Sequence, residues 1–184
     1  MEQATITAEA SATHLEDALR LADPFFASLG EVAAVSEQEL PPDYQTLLAH
    51  TGHMTVTLEA WHESLVDVRV EAERTDALCY SRHSLLTRQS DNRVVQSGVM
   101  RISLASLQPD VWQRIEQGGC PLGRILIRSN LLREVELLAL WRIAAGETLA
   151  KELAIEENEV IYGRSARILV EGRPAVELLE IVKP

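Results

Sequence analysis

Two carboxylates near the end of the chain pose the first chemical question. In GRPAVELLEIVKP (172–184), read as a strand, Pro174, Val176, Leu178, Glu180 and Val182 point one way. Ala175, Glu177, Leu179 and Ile181 point the other, so each mostly apolar face carries one acid. An ionised carboxylate in such a layer is costly unless something pairs with it. At least one of these glutamates is therefore expected to meet a partner or a ligand.

Two further stretches could supply the positive ends. In LCYSRHSLL, Tyr80, Arg82, Ser84 and Leu86 share a face, with Cys79, Ser81, His83 and Leu85 on the other. An arginine here either snorkels to water at a sheet edge or faces a cavity as a planar fork for a carboxylate. GGCPLGRIL (118–126) ends one helix and leads, at Leu122-Gly123, into another. It is either punctuation or a turn exposing backbone N–H groups to an anion. An arginine fork, an amide-lined turn and an inward glutamate together suit a small, rigid, carboxylated and hydroxylated ligand in a mostly apolar cavity.

Other chemistries find little support. The sequence has no GxGxxG, Walker loop, GxSxG or HExxH. His50 and His53 in HTGH stand three apart, but without a further Cys/His cluster the expected role is capping or packing at a helix end, and no metal is expected. Cys79 and Cys120 are far apart and form no CxxC, which fits a reducing, cytoplasmic setting. The net charge of −11 argues against nucleic acid as a partner. No apolar run approaches the length of a membrane span, and MEQATITAEASATHLED lacks the basic region and apolar core of a secretory signal. Only two of the 17 basic residues are lysines, which either genome composition or selection for bidentate arginines could produce.

The elements that must position these residues are legible in outline. A single domain over 1–184 is expected, with a helical N-terminal segment at 1–44. There, Thr13 and Glu16 fit a capping box opening a short helix that Pro24 stops. A second helix is predicted over 40–50, with proline in its first turn. Alternation then predicts strands at 54–60 and 66–72, joined by WHES as a hairpin. Further strands are predicted near 78–88, 93–103, 131–142, 159–171 and 174–182, with helices at 107–119 and 145–155. The pattern is that of an α+β domain: a mostly antiparallel sheet of six or seven strands flanked by helices.

Five stretches in order resemble the chorismate pyruvate-lyase family: LLAHTGHMTVTLE, YSRHSLL, CPLGRIL, YGRSARILVEGRP and LLEIVKP. The similarity runs from about residue 45 to the end. It implies an antiparallel sheet flanked by helices, with the ligand buried beneath helical flaps. It also implies that chorismate loses pyruvate to give 4-hydroxybenzoate without a cofactor. Position by position, Arg82 matches the carboxylate-binding arginine, and Leu122 with Gly123 the turn whose amide meets the ligand carboxylate. Met54 matches a residue lining the apolar part of the pocket, and Glu180 the acid near the ring hydroxyl.

Two departures stand out. Related enzymes often carry an arginine directly after the glycine of QSG, where this chain reads VMRIS, which raises Arg101 as a replacement. The spacing from the GRP turn to the final acid varies by one residue among relatives, which keeps Glu177 as a second candidate. The alternatives are a small-molecule sensor domain of the same fold and an enzyme that makes a different hydroxybenzoate. About 44 residues precede the matched region, with no basic recognition helix.

Overall fold

The computed structural model describes residues 8–106, 108–117, 120, 122–128 and 133–184. Helix α1 (Ala8–Ala22) leads to strand β1 (Gly30–Val35), then α2 (Pro42–Leu48) and α3 (Met54–Trp61). Strands β2 (Val66–Thr75), β3 (Cys79–Arg88) and β4 (Val94–Ser103) form an antiparallel meander. Helices α4 (Pro109–Glu116) and α5 (Leu122–Arg128) precede the long β5 (Arg133–Ala145). Helix α6 (Glu147–Leu153) and the hairpin β6 (Val160–Val170), β7 (Arg173–Val182) follow. The hairpin turns on Glu171 and Gly172, whose φ of +51° and +73° give the left-handed pair that matches strand twist.

All seven strands join one antiparallel sheet in the order β1-β5-β6-β7-β4-β3-β2. Helices cover both faces. On one, Val99, Trp141, Ile143, Leu179 and Ile181 pack against α1 and α6. There the Trp141 indole donates to Ser165 Oγ at 2.8 Å, so the buried N–H is satisfied. The same face ties α6 to the sheet through Ser97, whose hydroxyl donates to Glu152 Oε2 at 2.8 Å and lies 3.1 Å from His83 Nε2.

The opposite face carries two apolar clusters. One joins Met100, Ile102 and Ile168 to α4 and α5 through Ile115, Leu122 and Leu126. The other joins Leu86, Leu140 and Val182 to α2 and α3 through Leu47, Leu48, Met54 and Leu58. The seam between them matters for function. No helix of the described residues is long and apolar enough to cross a membrane.

Three expectations are corrected. Residues 54–60 are not a strand but the body of α3, so WHES links a helix to β2 and makes no hairpin. MTVTLEAW fits both periods: alternation would bury Val56, which is 51% exposed, whereas Met54 and Leu58, one helical turn apart, are buried. The β-branched residues cost the helix only tenths of a kcal/mol each, less than burying two such side chains gains. Thr13 is not an N-cap, because α1 already begins at Ala8 and the alanine-rich stretch before it extends the helix. The N-terminal segment is not wholly helical either: β1 lies within it and pairs with β5 at the sheet edge. The remaining predicted strands lie within two or three residues of those observed. Leu107, Gly118, Gly119, Pro121 and residues 129–132 fall outside the described residues.

Candidate functional site

A cavity opens in the seam between the two clusters, beneath α3 and α5. Its walls include Arg82, Gln96, Met100, Arg164, Leu178 and Glu180 from the sheet and Met54 and Leu122 from the helices. It offers the centres of water-sized molecules about 60 Å³, several times the ~10–15 Å³ that one water needs. Arg82, Met54, Leu122 and Glu180 thus meet around one space, although they come from β3, α3, α5 and β7. Gly123 follows Leu122 in the first turn of α5. Arg101 does not join them, because it pairs in register with Glu177 on the other face, beside Cys79 and Arg20.

Arg82 sits on an interior strand, between β2 and β4, and is 2% exposed. It has no route to snorkel to an edge. Its Nε and Nη1 are buried with no hydrogen-bond partner among the described residues. Each such donor left unmade costs on the order of 1–3 kcal/mol, more for a charged group. Burial lowers the guanidinium's pKa from its ordinary value, while Tyr80 and Glu73 act to raise it. The Tyr80 hydroxyl donates to Glu73 Oε2 at 2.8 Å, and burial followed by that bond pushes its pKa up to about 12.

Glu180 answers the question of the buried acid in part. Its Oε2 accepts from Arg164 Nε at 2.7 Å, and both side chains are nearly inaccessible. Arg164 donates onward from Nη1 to the His50 carbonyl at 2.8 Å and from Nη2 to the Gly52 carbonyl at 3.2 Å. One guanidinium therefore fixes the acid and the loop that starts α3. Gly163, beside it, permits the approach of β6 to β7: a Cβ there would lie 2.8 Å from the Glu180 carbonyl oxygen.

His50 completes that loop. Its Nε2 is 2.8 Å from the Leu47 carbonyl, and its Nδ1 accepts from the Gly52 N–H at 3.0 Å. The ring therefore caps the end of α2 as a neutral tautomer with its proton on Nε2. Burial, then the Arg164 charge, lowers its pKa. The two covering helices are also joined: Arg124, from the PLGR stretch, forms an ion pair with Glu59 of α3. Glu59 in turn accepts from the Val66 N–H at 3.1 Å, where β2 begins.

Sequence reasoning did not single out Arg164, Gln96 or the Arg124–Glu59 pair as parts of the site. A signal for the first two existed. Arg164 interrupts the face of Tyr162, Ala166 and Ile168, and Gln96 that of Gly98 and Met100, as polar residues in otherwise apolar alternation.

No protein-family model and no curated protein sequence matches the chain. Solved structures match its fold. The effector domain of PhnF from Mycobacterium smegmatis aligns with a TM-score of 0.51 at 10% identity, over 72% of this chain and 88% of that domain. The structure of PhnF from the same organism gives 0.51 at 9% identity, over 73% of this chain and 64% of that one, so the shared part is the effector domain. A ligand-binding domain assigned to the GntR family of transcriptional regulators, from Bordetella bronchiseptica, gives 0.49 at 12% identity, over 64% and 85%. The two PhnF matches define the fold as that of a single α+β domain of the chorismate lyase-like kind, shared with a regulator effector domain.

Proposed function

We propose that the cavity holds a small cyclic carboxylate bearing a hydroxyl, and that the chain is a lyase converting chorismate to 4-hydroxybenzoate and pyruvate. The observation that carries the reading is Arg82, a buried fork with two unpartnered donors on the wall of a cavity that also presents Glu180. A ligand carboxylate on Arg82, with the Leu122–Gly123 amides beside it, gives those donors their acceptors. Glu180, with Oε2 engaged by Arg164, turns its other oxygen to the ring hydroxyl.

The chemistry asks little more of the protein. The C–O bond to the enolpyruvyl group breaks, and the carbon bearing the hydroxyl loses its hydrogen as a proton. The enol fragment takes up a proton to become pyruvate. The step is redox-neutral, and aromatisation drives it. The chain's contribution is to hold the ring, neutralise carboxylate charge and order the group leaving oxygen away from water. Arg82 and Arg164 against Glu180 leave the cavity a local positive excess.

A second reading is a sensor that binds such a carboxylate without turning it over. The structural neighbours favour it, since they are effector and ligand-binding domains of regulators. Incubation with chorismate and chromatography of the products separates the readings. The lyase is expected to release 4-hydroxybenzoate with equimolar pyruvate, at full rate after chelation. Arg82→Ala is expected to lose several kcal/mol of transition-state binding, with only partial recovery in Arg82→Lys, which lacks the planar fork. Binding of the product without turnover of chorismate would establish the sensor. Release of 3-hydroxybenzoate would keep the enzyme and change the product.

A further inference from the structure

Gln96 lines the same cavity as Arg82, farther along the sheet. Along β3 and β4, Arg82 faces Met100 and Leu86 faces Gln96, with Ser84 opposite Gly98 between them. Four residue steps along β4 lead from Gln96 to Met100, the partner of Arg82, a span of roughly 13 Å between backbones at ~3.3 Å per residue. Gly98 forms the floor: it pairs with Glu180, and a Cβ on it would lie 2.7 Å from Gln96 Nε2. The side-chain amide of Gln96 therefore rests over a position that carries no side chain.

Gln96 is 7% exposed, and its Oε1 is buried with no hydrogen-bond partner among the described residues. A buried amide left this way is costly, and the strand around it is apolar. Glu180 is its diagonal neighbour, one strand across and two residues along, within reach of two long side chains. The pair differs in chemistry. An ionised carboxylate only accepts hydrogen bonds, whereas a carboxamide both donates and accepts.

We infer that Gln96 determines specificity in this cavity: with Glu180 it brackets a ligand hydroxyl, whose one proton is shared between a carboxylate oxygen and the unpartnered Gln96 Oε1. The inference rests on the proposed reading of the cavity as a site for a hydroxylated cyclic carboxylate and adds to it the residue that selects for the hydroxyl. The arrangement discriminates in two ways. A ring without oxygen leaves both polar groups buried and unmet, and a methoxy group offers only an acceptor.

Calorimetric titration of the full chain with benzoate, 4-methoxybenzoate and 4-hydroxybenzoate tests this in wild type, Gln96→Leu and Gln96→Met. Wild type is expected to prefer 4-hydroxybenzoate to benzoate by roughly tenfold or more, the scale of one or two hydrogen bonds. In either variant the ratio should fall several-fold toward unity, and Gln96→Met gives the same reading should the leucine variant not fold. A preference that survives in a folded variant overturns the role of Gln96 while the cavity reading stands. Benzoate bound by wild type and lost in Arg82→Ala marks that reading as sound. Failure of all three acids to bind wild type overturns both.

Discussion

At the residue scale the two terminal acids separate sharply. Glu180 is buried, paired to Arg164 and part of the cavity wall, whereas Glu177 is exposed on the other face between Arg101 and Arg167. Even a full exposed ion pair is worth only about 0–1 kcal/mol, so Glu177→Gln, which removes an exposed charge merely cross-strand to two arginines, is expected to leave turnover and melting temperature almost unchanged. Glu180→Gln keeps an acceptor for Arg164 but removes the charge that compensates a buried guanidinium. It should melt lower, because breaking a buried pair costs far more than breaking an exposed one. It should also lose on the order of a hundredfold in rate if the acid holds the hydroxyl or moves a proton. Turnover and melting curves of both variants decide it. A normal rate in Glu180→Gln with a dead Glu177→Gln would assign the chemistry to the wrong face of β7.

At the scale of elements, the loop between α2 and α3 is the most heavily bonded part of the site, with His50 and Arg164 holding it from both sides. His50 is held below its usual value of 6.5 by burial and by Arg164, while the hydrogen bond to the Leu47 backbone and then Glu180 pull the other way. Above that value the ring is neutral in both folded and unfolded chains and contributes nothing to pH dependence. Below it the unfolded chain takes up a proton that the folded loop refuses, so stability falls as pH drops from about 6.5. His62, at the end of α3, is lowered by burial and by Arg88 and adds to the trend. Replacing His50 with Asn, which still accepts from the Gly52 N–H, should flatten this part of a melting-temperature profile. A variant profile parallel to the wild type would remove His50 from the account. This loop also marks where the sequence stopped being legible. Strands β3 to β7 announced themselves by alternation, and Arg82 and Glu180 by being charged within it. MTVTLE alternates too, and only the packing of Met54 and Leu58 against α2 turns it into a helix. The partner of Glu180 was hidden for a related reason: Arg164 reaches it through strand pairing, which a local pattern does not encode.

For the whole molecule, charge and site pull in opposite directions. A net charge of −11 repels any anion approaching from a distance, while the groups proposed to bind it are buried arginines. Repulsion at a distance is screened by salt over a Debye length of about 8 Å at physiological strength, whereas contact inside the cavity is screened much less. Raising ionic strength should therefore speed the association of a carboxylate ligand, with little change in its dissociation rate. Stopped-flow association at two salt concentrations measures this. Slower association in salt would indicate a basic entrance that overrides the acidic whole.

The place of β7 carries a consequence for how the site comes into being. It is the strand that joins β6 to β4; without it the sheet separates into β1-β5-β6 and β4-β3-β2. Arg164 would remain with the first half, Arg82 and Gln96 with the second, and Glu180 with neither. Pairing Gly98 with Glu180 also closes a loop spanning much of the chain, the kind of distant contact that makes folding slow. A chain with every other strand in place still has no recognition site. Any small molecule that fits the cavity therefore acts only on the finished sheet, drawing half-assembled chains forward by mass action. A molecule that binds the cavity, added to the growth medium, would then raise the yield of native protein, as a template for the joining of the two half-sheets.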